Sequence, residues 1–183
     1  RGSHHYAMVG CETAENYHTQ LKGDDPGTMQ DLAFSPDGQL LASVSYTITE
    51  TARMGKKIGR SASIAIKLWS TNNQTEIANL TGHKGIVCAV AFSPDGQILY
   101  FCDSAERDIL AFNYDQETGN IGASRVFARL SPQQGFPDGI TVDSEGCLWC
   151  AHWGGWRVIR YRPDGSEDLV IAMPVPKPTS CVF

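Results

Sequence analysis

A chain of 183 residues can build one sizeable core or two small ones, and 42% hydrophobic with 19% charged residues suits a soluble globular protein. Its formal net charge of −5, with no dense Lys/Arg stripe along any element, argues against phosphate-backbone binding and so against a nucleic-acid partner. No run of 18 apolar residues marks a membrane helix and no leader pattern is visible, so the expected setting is the cytoplasm without a membrane partner.

Arg1-Gly-Ser-His-His5 reads as an expression-tag remnant and is set aside. The remainder of the chain is a succession of short apolar runs separated by Gly, Pro, Asp and Asn, the pattern of an all-β chain. Outer strands are expected at 17–21 and, before it, 6–11. A first set of four strands falls at 29–34, 40–45, 64–69 and 76–80. A second falls at 86–92, 98–102, 109–113 and 125–129, and a third at 139–142, 147–151, 157–161 and 168–172. Four antiparallel strands joined by tight turns are the unit of a propeller blade. Residues 179–183 then read as the innermost strand of a fourth blade, giving about three and a half blades. Open sheet edges invite pairing, so closure with a second copy of the chain, a homodimer, is expected.

The turns have mechanical reasons. Phe34-Ser-Pro-Asp-Gly-Gln39 returns intact at Phe92-Ser-Pro-Asp-Gly-Gln97, and Pro163-Asp164-Gly165 repeats its centre. Each sets a proline of fixed φ before residues that tolerate positive φ. Ser144-Glu145-Gly146 takes the matching place in the third unit. The segment 46–62, with Arg53, Lys56, Lys57 and Arg60, interrupts the first blade and reads as a solvated hairpin extension or a binding loop. Six cysteines show no repeating spacing. Cys147 and Cys150 lie three apart on a strand, so their side chains point to opposite faces and do not pair, and the thiols read as small reduced core residues.

Over about residues 14–97, Leu32-Ala-Phe-Ser-Pro-Asp-Gly-Gln-Leu-Leu-Ala-Ser43, Ile66-Lys-Leu-Trp69 and Gly82-His83 resemble WD-repeat protein. That resemblance implies a rigid platform for protein partners. Its polar set of His, Ser or Thr, Trp and Asp is broken here: Trp69 and Ser45 stand in the first blade without a His, and His83 opens a second blade that offers Phe112 instead of Trp. His83 is therefore expected to turn outward or to find Asp103 or Asp108.

Over about residues 92–183, Leu99-Tyr-Phe-Cys-Asp-Ser104, Gly135-Phe-Pro-Asp-Gly-Ile-Thr-Val-Asp143, Leu148-Trp-Cys-Ala-His-Trp-Gly-Gly155 and Pro178-Thr-Ser-Cys181 resemble the gluconolactonase and regucalcin family of propellers. The resemblance implies a metal-dependent lactone hydrolase. Its divalent ion is held by a Glu from a Glu-Gly-Pro motif, an Asn before the Phe-Ser-Pro-Asp-Gly strand, and the Asp of Pro-Asp-Gly. Asp138 matches the last of these, as metal ligand and catalytic base, Cys88 stands at the Asn position, and no Glu-Gly-Pro occurs. Asp138 reads either as that surviving ligand and base or as a turn-forming Asp beside Gly139. His152 and Trp153 read as lining the same mouth or, for His152, as a loop residue.

Two unlike continuations after one shared hexapeptide suggest a splice: WD-like blades over 6–97 with the 46–62 insert, gluconolactonase-like blades over 98–183, one continuous propeller unit. The leading expectation is a recombined, engineered scaffold without an evolved activity, no cofactor, and at most weak binding of calcium or zinc. The alternatives are a weak metal-dependent lactone or ester hydrolase working through Asp138, and a WD-type protein-interaction module.

Overall fold

A computed structural model describes residues 28–182 apart from 54–55, 81–82, 84 and 116–119. The outer strands expected at 6–11 and 17–21 lie outside the described residues. Twelve strands form three antiparallel sheets of four, each following chain order: β1 (Thr28–Phe34), β2 (Leu40–Arg53), β3 (Lys56–Ser70) and β4 (Glu76–Leu80) make blade 1. Blade 2 comprises β5 (Val87–Phe92), β6 (Ile98–Asp103), β7 (Asp108–Tyr114) and β8 (Ile121–Arg129), and blade 3 comprises β9 (Phe136–Val142), β10 (Leu148–Trp153), β11 (Arg157–Tyr161) and β12 (Glu167–Ala172). The first strands of the blades are neighbours, β1 against β5 and β5 against β9, as around a propeller axis. All twelve strands of the three expected sets are present, and the insert is a hairpin: β2 and β3 stay paired out to Arg53 and Lys56.

The repeated hexapeptide builds one turn twice. Ser35 Oγ donates to Asp37 (2.5 Å) and accepts from Leu40 N (2.9 Å), while Gly38 sits at φ 70°. Ser93 Oγ donates to Asp95 (2.5 Å) and accepts from Ile98 N (3.0 Å), with Gly96 again at φ 70°. Asp143 does the serine's work in blade 3, accepting from Glu145 N (3.0 Å) and Cys147 N (2.9 Å). Pro163-Asp164-Gly165 instead turns β11 into β12, an outer position rather than the inner one.

Two apolar layers lie between the blades. Alternate residues of β6 supply both: Leu99 and Phe101 pack with Leu40, Ala42, Val44, Ile66 and Leu68 of blade 1. Tyr100 and Cys102 pack with Ile140, Leu148, Cys150 and Ile159 of blade 3. A strand covered on both faces must be apolar at every position, which is why Ile98–Cys102 lacks the alternation of a half-exposed strand. Asp31 Oδ2 on β1 accepts from Val90 N on β5 (2.8 Å), and Ser104 Oγ donates to Pro137 O on β9 (2.6 Å). These hydrogen bonds tie each innermost strand to the next blade.

Several side chains depart from expectation. Trp69 Nε1 donates to Ser43 Oγ (2.9 Å), not to Ser45, because Trp69 pairs with Leu41 and Ser43 is the diagonal neighbour on that face. His83 finds neither Asp103 nor Asp108; its Nε2 donates to Ile64 O (3.0 Å). Asp103 accepts backbone donors from Gly85 and Glu106 instead, and Asp108 is clamped by Arg129 (2.6 and 2.7 Å). The expected fourth-blade strand at 179–183 is placed beside β9 but is not a strand: Gly139 N donates to Thr179 O (2.9 Å), and Thr179–Val182 carries no ladder.

Phe101→Ala opens a cavity against stacked Phe112 and is expected to cost about 3–5 kcal/mol in urea unfolding. A Cβ at Gly139 would lie 2.5 Å from Thr179 O, so Gly139→Ala is expected to push residues 179–182 off β9. Faster alkylation of Cys181, read by peptide mapping, checks this.

Candidate functional site

At the junction of blades 2 and 3 lies a cavity of about 320 Å3, walled by Ile86, Cys88, Phe136, Pro137 and Trp153. Among the described residues, Asp138 is the one carboxylate on its wall. It is half-buried and lies inside strand β9, so it is not a turn residue. Burial pushes its carboxyl above the usual range, and a hydrogen bond from the Cys88 thiol offsets part of that shift.

The neighbours of Asp138 come from the adjacent blade. Cys88 on β5 faces Ser104, just past β6, with Sγ and Oγ 3.0 Å apart. Ser104 uses its single hydrogen on Pro137 O at 2.6 Å, so the Cys88 thiol hydrogen is the one shared between Ser104 Oγ and Asp138. Burial first, and then the charge of Asp138, raise the Cys88 thiol, while Ser104 lowers it. Cys88 is thus a protonated thiol at neutral pH. Behind the cavity, Cys102 and Cys150 are hydrogen-bonded to each other across the blade interface with no exposure, and burial pushes the Cys102 thiol well up. Cys150 therefore meets Cys102 and not Cys147, consistent with the opposite-face geometry of β10.

His152 and Trp153 part company. His152 is neither in a loop nor at the mouth: it is on β10 with no exposure. Its Nδ1 must donate to Gln134 O (3.0 Å), since a carbonyl only accepts, and its Nε2 meets Tyr161 OH at 3.1 Å. The imidazole pins the 3-10 turn Pro132–Gln134, which feeds directly into β9 and so sets where Asp138 begins its strand. Trp153 is 38% exposed at the cavity rim, edge to face with Phe136 at 5.9 Å between ring centroids. Arg107 holds its guanidinium 3.8 Å over the Phe136 ring and donates to Gly135 O (2.5 Å), and the Lys177 ammonium lies 4.6 Å over the Trp153 ring. Of this site, Asp138 and Trp153 were legible in the sequence, and Cys88 was marked by its place relative to Phe92. Ser104 and Phe136 stood inside quoted motifs without being singled out, and Arg107 and Lys177 carried no local signal.

What the chain's own groups offer a metal is narrow. Asp138, the thiol of Cys88 and the hydroxyl of Ser104 are the side-chain donors on the wall, and among the described residues no three His, Cys, Asp or Glu side chains are placed to hold an ion. Calcium takes about six to eight oxygens. One carboxylate beside a protonated thiol does not fit it.

The chain is similar over residues 4–183 to the family described as SMP-30/Gluconolactonase/LRE-like region. An L-arabinolactonase of Azospirillum brasilense is 47% identical over 94 residues, 51% of this chain and 31% of that protein. The pentonolactonase XacC of Haloferax volcanii is 28% identical over 160 residues, 87% of this chain and 50% of that protein. The crystal structure of a calcium-binding protein, regucalcin, from Agrobacterium tumefaciens superposes with TM-score 0.59 at 26% identity, covering 83% of this chain and 48% of that one. The chain thus spans half or less of the length of the relatives it matches.

The family match runs without a break through residue 97, where two parents were expected to meet, and the Haloferax relative aligns over most of both halves. This overturns the expectation of a scaffold without an evolved activity, and the WD-like amino-terminal parent is not shown. From residue 4 to its last residue, the chain belongs to the SMP-30/gluconolactonase/LRE-like family.

Proposed function

We propose that this chain carries the catalytic centre of a lactone hydrolase of the gluconolactonase type, with Asp138 as the general base. One observation carries the reading: a half-buried carboxylate with a raised pKa, hydrogen-bonded by Cys88, is the one acidic group among the described residues on a largely apolar cavity wall. The sugar lactonases among its relatives support the substrate class.

In this reading the lactone ring lies against Phe136 and Trp153 with its carbonyl carbon toward Asp138. A water hydrogen-bonded to Asp138 attacks that carbon, and its proton passes to the carboxylate as the C–O bond forms. The ring C–O bond then breaks, and the proton returns from Asp138 to the departing ring oxygen. Lactone and water become a hydroxy acid, with Asp138 restored. The apolar wall strips competing water from the carbonyl, which strengthens the polar contacts that remain. Because the donors present do not fit calcium, no step here is routed through an ion.

The raised carboxyl makes Asp138 a better base than an ordinary aspartate but delays its ionisation. The acid limb of kcat/KM is therefore expected above the usual aspartate range, and Asp138→Asn is expected to lower kcat/KM by about 10²–10⁴-fold. Stability runs the other way. A folded-state pKa above the unfolded value stabilises the fold at low pH, and that contribution is lost as pH rises through the folded value. At neutral pH, Asp138→Asn should thus leave the melting temperature equal or higher. Unchanged lactone hydrolysis in the variant would remove Asp138 from this role.

We also propose self-association. Leu169, Val170 and Ile171 of β12, the outermost strand of its sheet, are 46%, 48% and 40% exposed, an apolar edge strand against which a second copy would pair. Light scattering is expected to give about twice the chain mass of 20.0 kDa. A clean species at the single-chain mass would rule this out.

A further inference from the structure

We propose that the mouth of this cavity selects lactones bearing a second, negatively charged group, an inference that rests on the lactonase reading of Asp138. The cavity floor is apolar apart from Asp138 and its hydrogen-bonded neighbours. Its rim is different. Two aromatic rings, Phe136 and Trp153, meet edge to face there, and each carries a cation on its surface: Arg107 at 3.8 Å from the Phe136 centroid and Lys177 at 4.6 Å from that of Trp153.

Neither cation forms an ion pair among the described residues. Arg107 gives one guanidinium nitrogen to Gly135 O, which fixes its plane and leaves further N–H donors. Lys177 is exposed, with its charge held at the rim by the Trp153 face. In a chain of net charge −5, two unneutralised cations flanking the aromatic mouth of one cavity form a local positive collar. Aromatic faces accept the C–H side of a polyol ring, and the collar accepts an anion at its far end, while the neutral lactone carbonyl enters toward Asp138.

Glucono-1,4-lactone and glucaro-1,4-lactone test this, since they share one ring and differ by CH2OH against carboxylate at the far end. In the full chain, kcat/KM is expected to be higher for the glucaro compound, and that advantage to shrink with added salt. Lys177→Met should cut the advantage about three- to fivefold, the scale of one exposed charge contact, with Lys177→Arg retaining it and the glucono rate unmoved. Arg107→Gln should act in the same direction. Hydrolysis of both lactones at a ratio indifferent to salt and to Lys177→Met would overturn the collar while leaving the lactonase intact. Hydrolysis of neither would overturn the lactonase reading itself. In that event, quenching of tryptophan fluorescence by glucarate but not by glucitol, lost in Lys177→Met, would still support the anion site, and equal or absent quenching would end it.

Discussion

Blade 2 is the element on which the molecule depends, because it is covered on both faces. Leu99 and Phe101 face blade 1, Tyr100 and Cys102 face blade 3, and all four are nearly without exposure. At roughly 25 cal/mol per Å2 of apolar surface, a strand buried on both faces gains far more than one buried on a single face. The same burial fixes geometry. With β6 locked between two layers, β5 and β9 are held side by side, and Cys88 and Asp138 meet although 50 positions separate them in the chain.

The site is a by-product of that packing and adds some ties of its own. Ser104 bonds Pro137 across the blade gap, and His152 bonds Gln134 just before β9 starts. Both partners are backbone carbonyls on the amino-terminal side of Asp138, Gln134 just before β9 and Pro137 inside it. The chain leading into Asp138 is thus anchored twice by the protein's own groups. Its raised pKa is the electrostatic counterpart of the same enclosure, since burial withdraws the water that would stabilise its charge.

The architecture was legible in the sequence because propeller strands are short and their turns have local chemical signatures. Ser-Pro-Asp-Gly specifies a turn by three contacts within six residues, and no distant partner is needed. Register is less local. The pairing of Trp69 with Leu41 places Ser43, not Ser45, under the indole, and nothing within either strand announces that offset. Contacts between blades are less legible still: Cys102 against Cys150, or Arg107 over Phe136, join segments whose own neighbours say nothing of each other. The reading of a scaffold without an evolved activity failed for a related reason. A shared turn followed by different strands looks like a join, yet blades of one propeller need only a common turn and a compatible apolar layer, and their remaining residues are free to diverge.

The long hairpin of blade 1 shows where such divergence comes cheaply. Beyond Tyr46, among the described residues, β2 pairs only with β3, from Thr47↔Ser63 to Arg53↔Lys56. A two-stranded ribbon contributes little to cooperative unfolding, and lengthening its tip adds only a slowly growing entropic term. The ribbon is therefore a structural margin, one that would tolerate insertions or fused peptides while the wall bearing Asp138, at the junction of blades 2 and 3, keeps its shape.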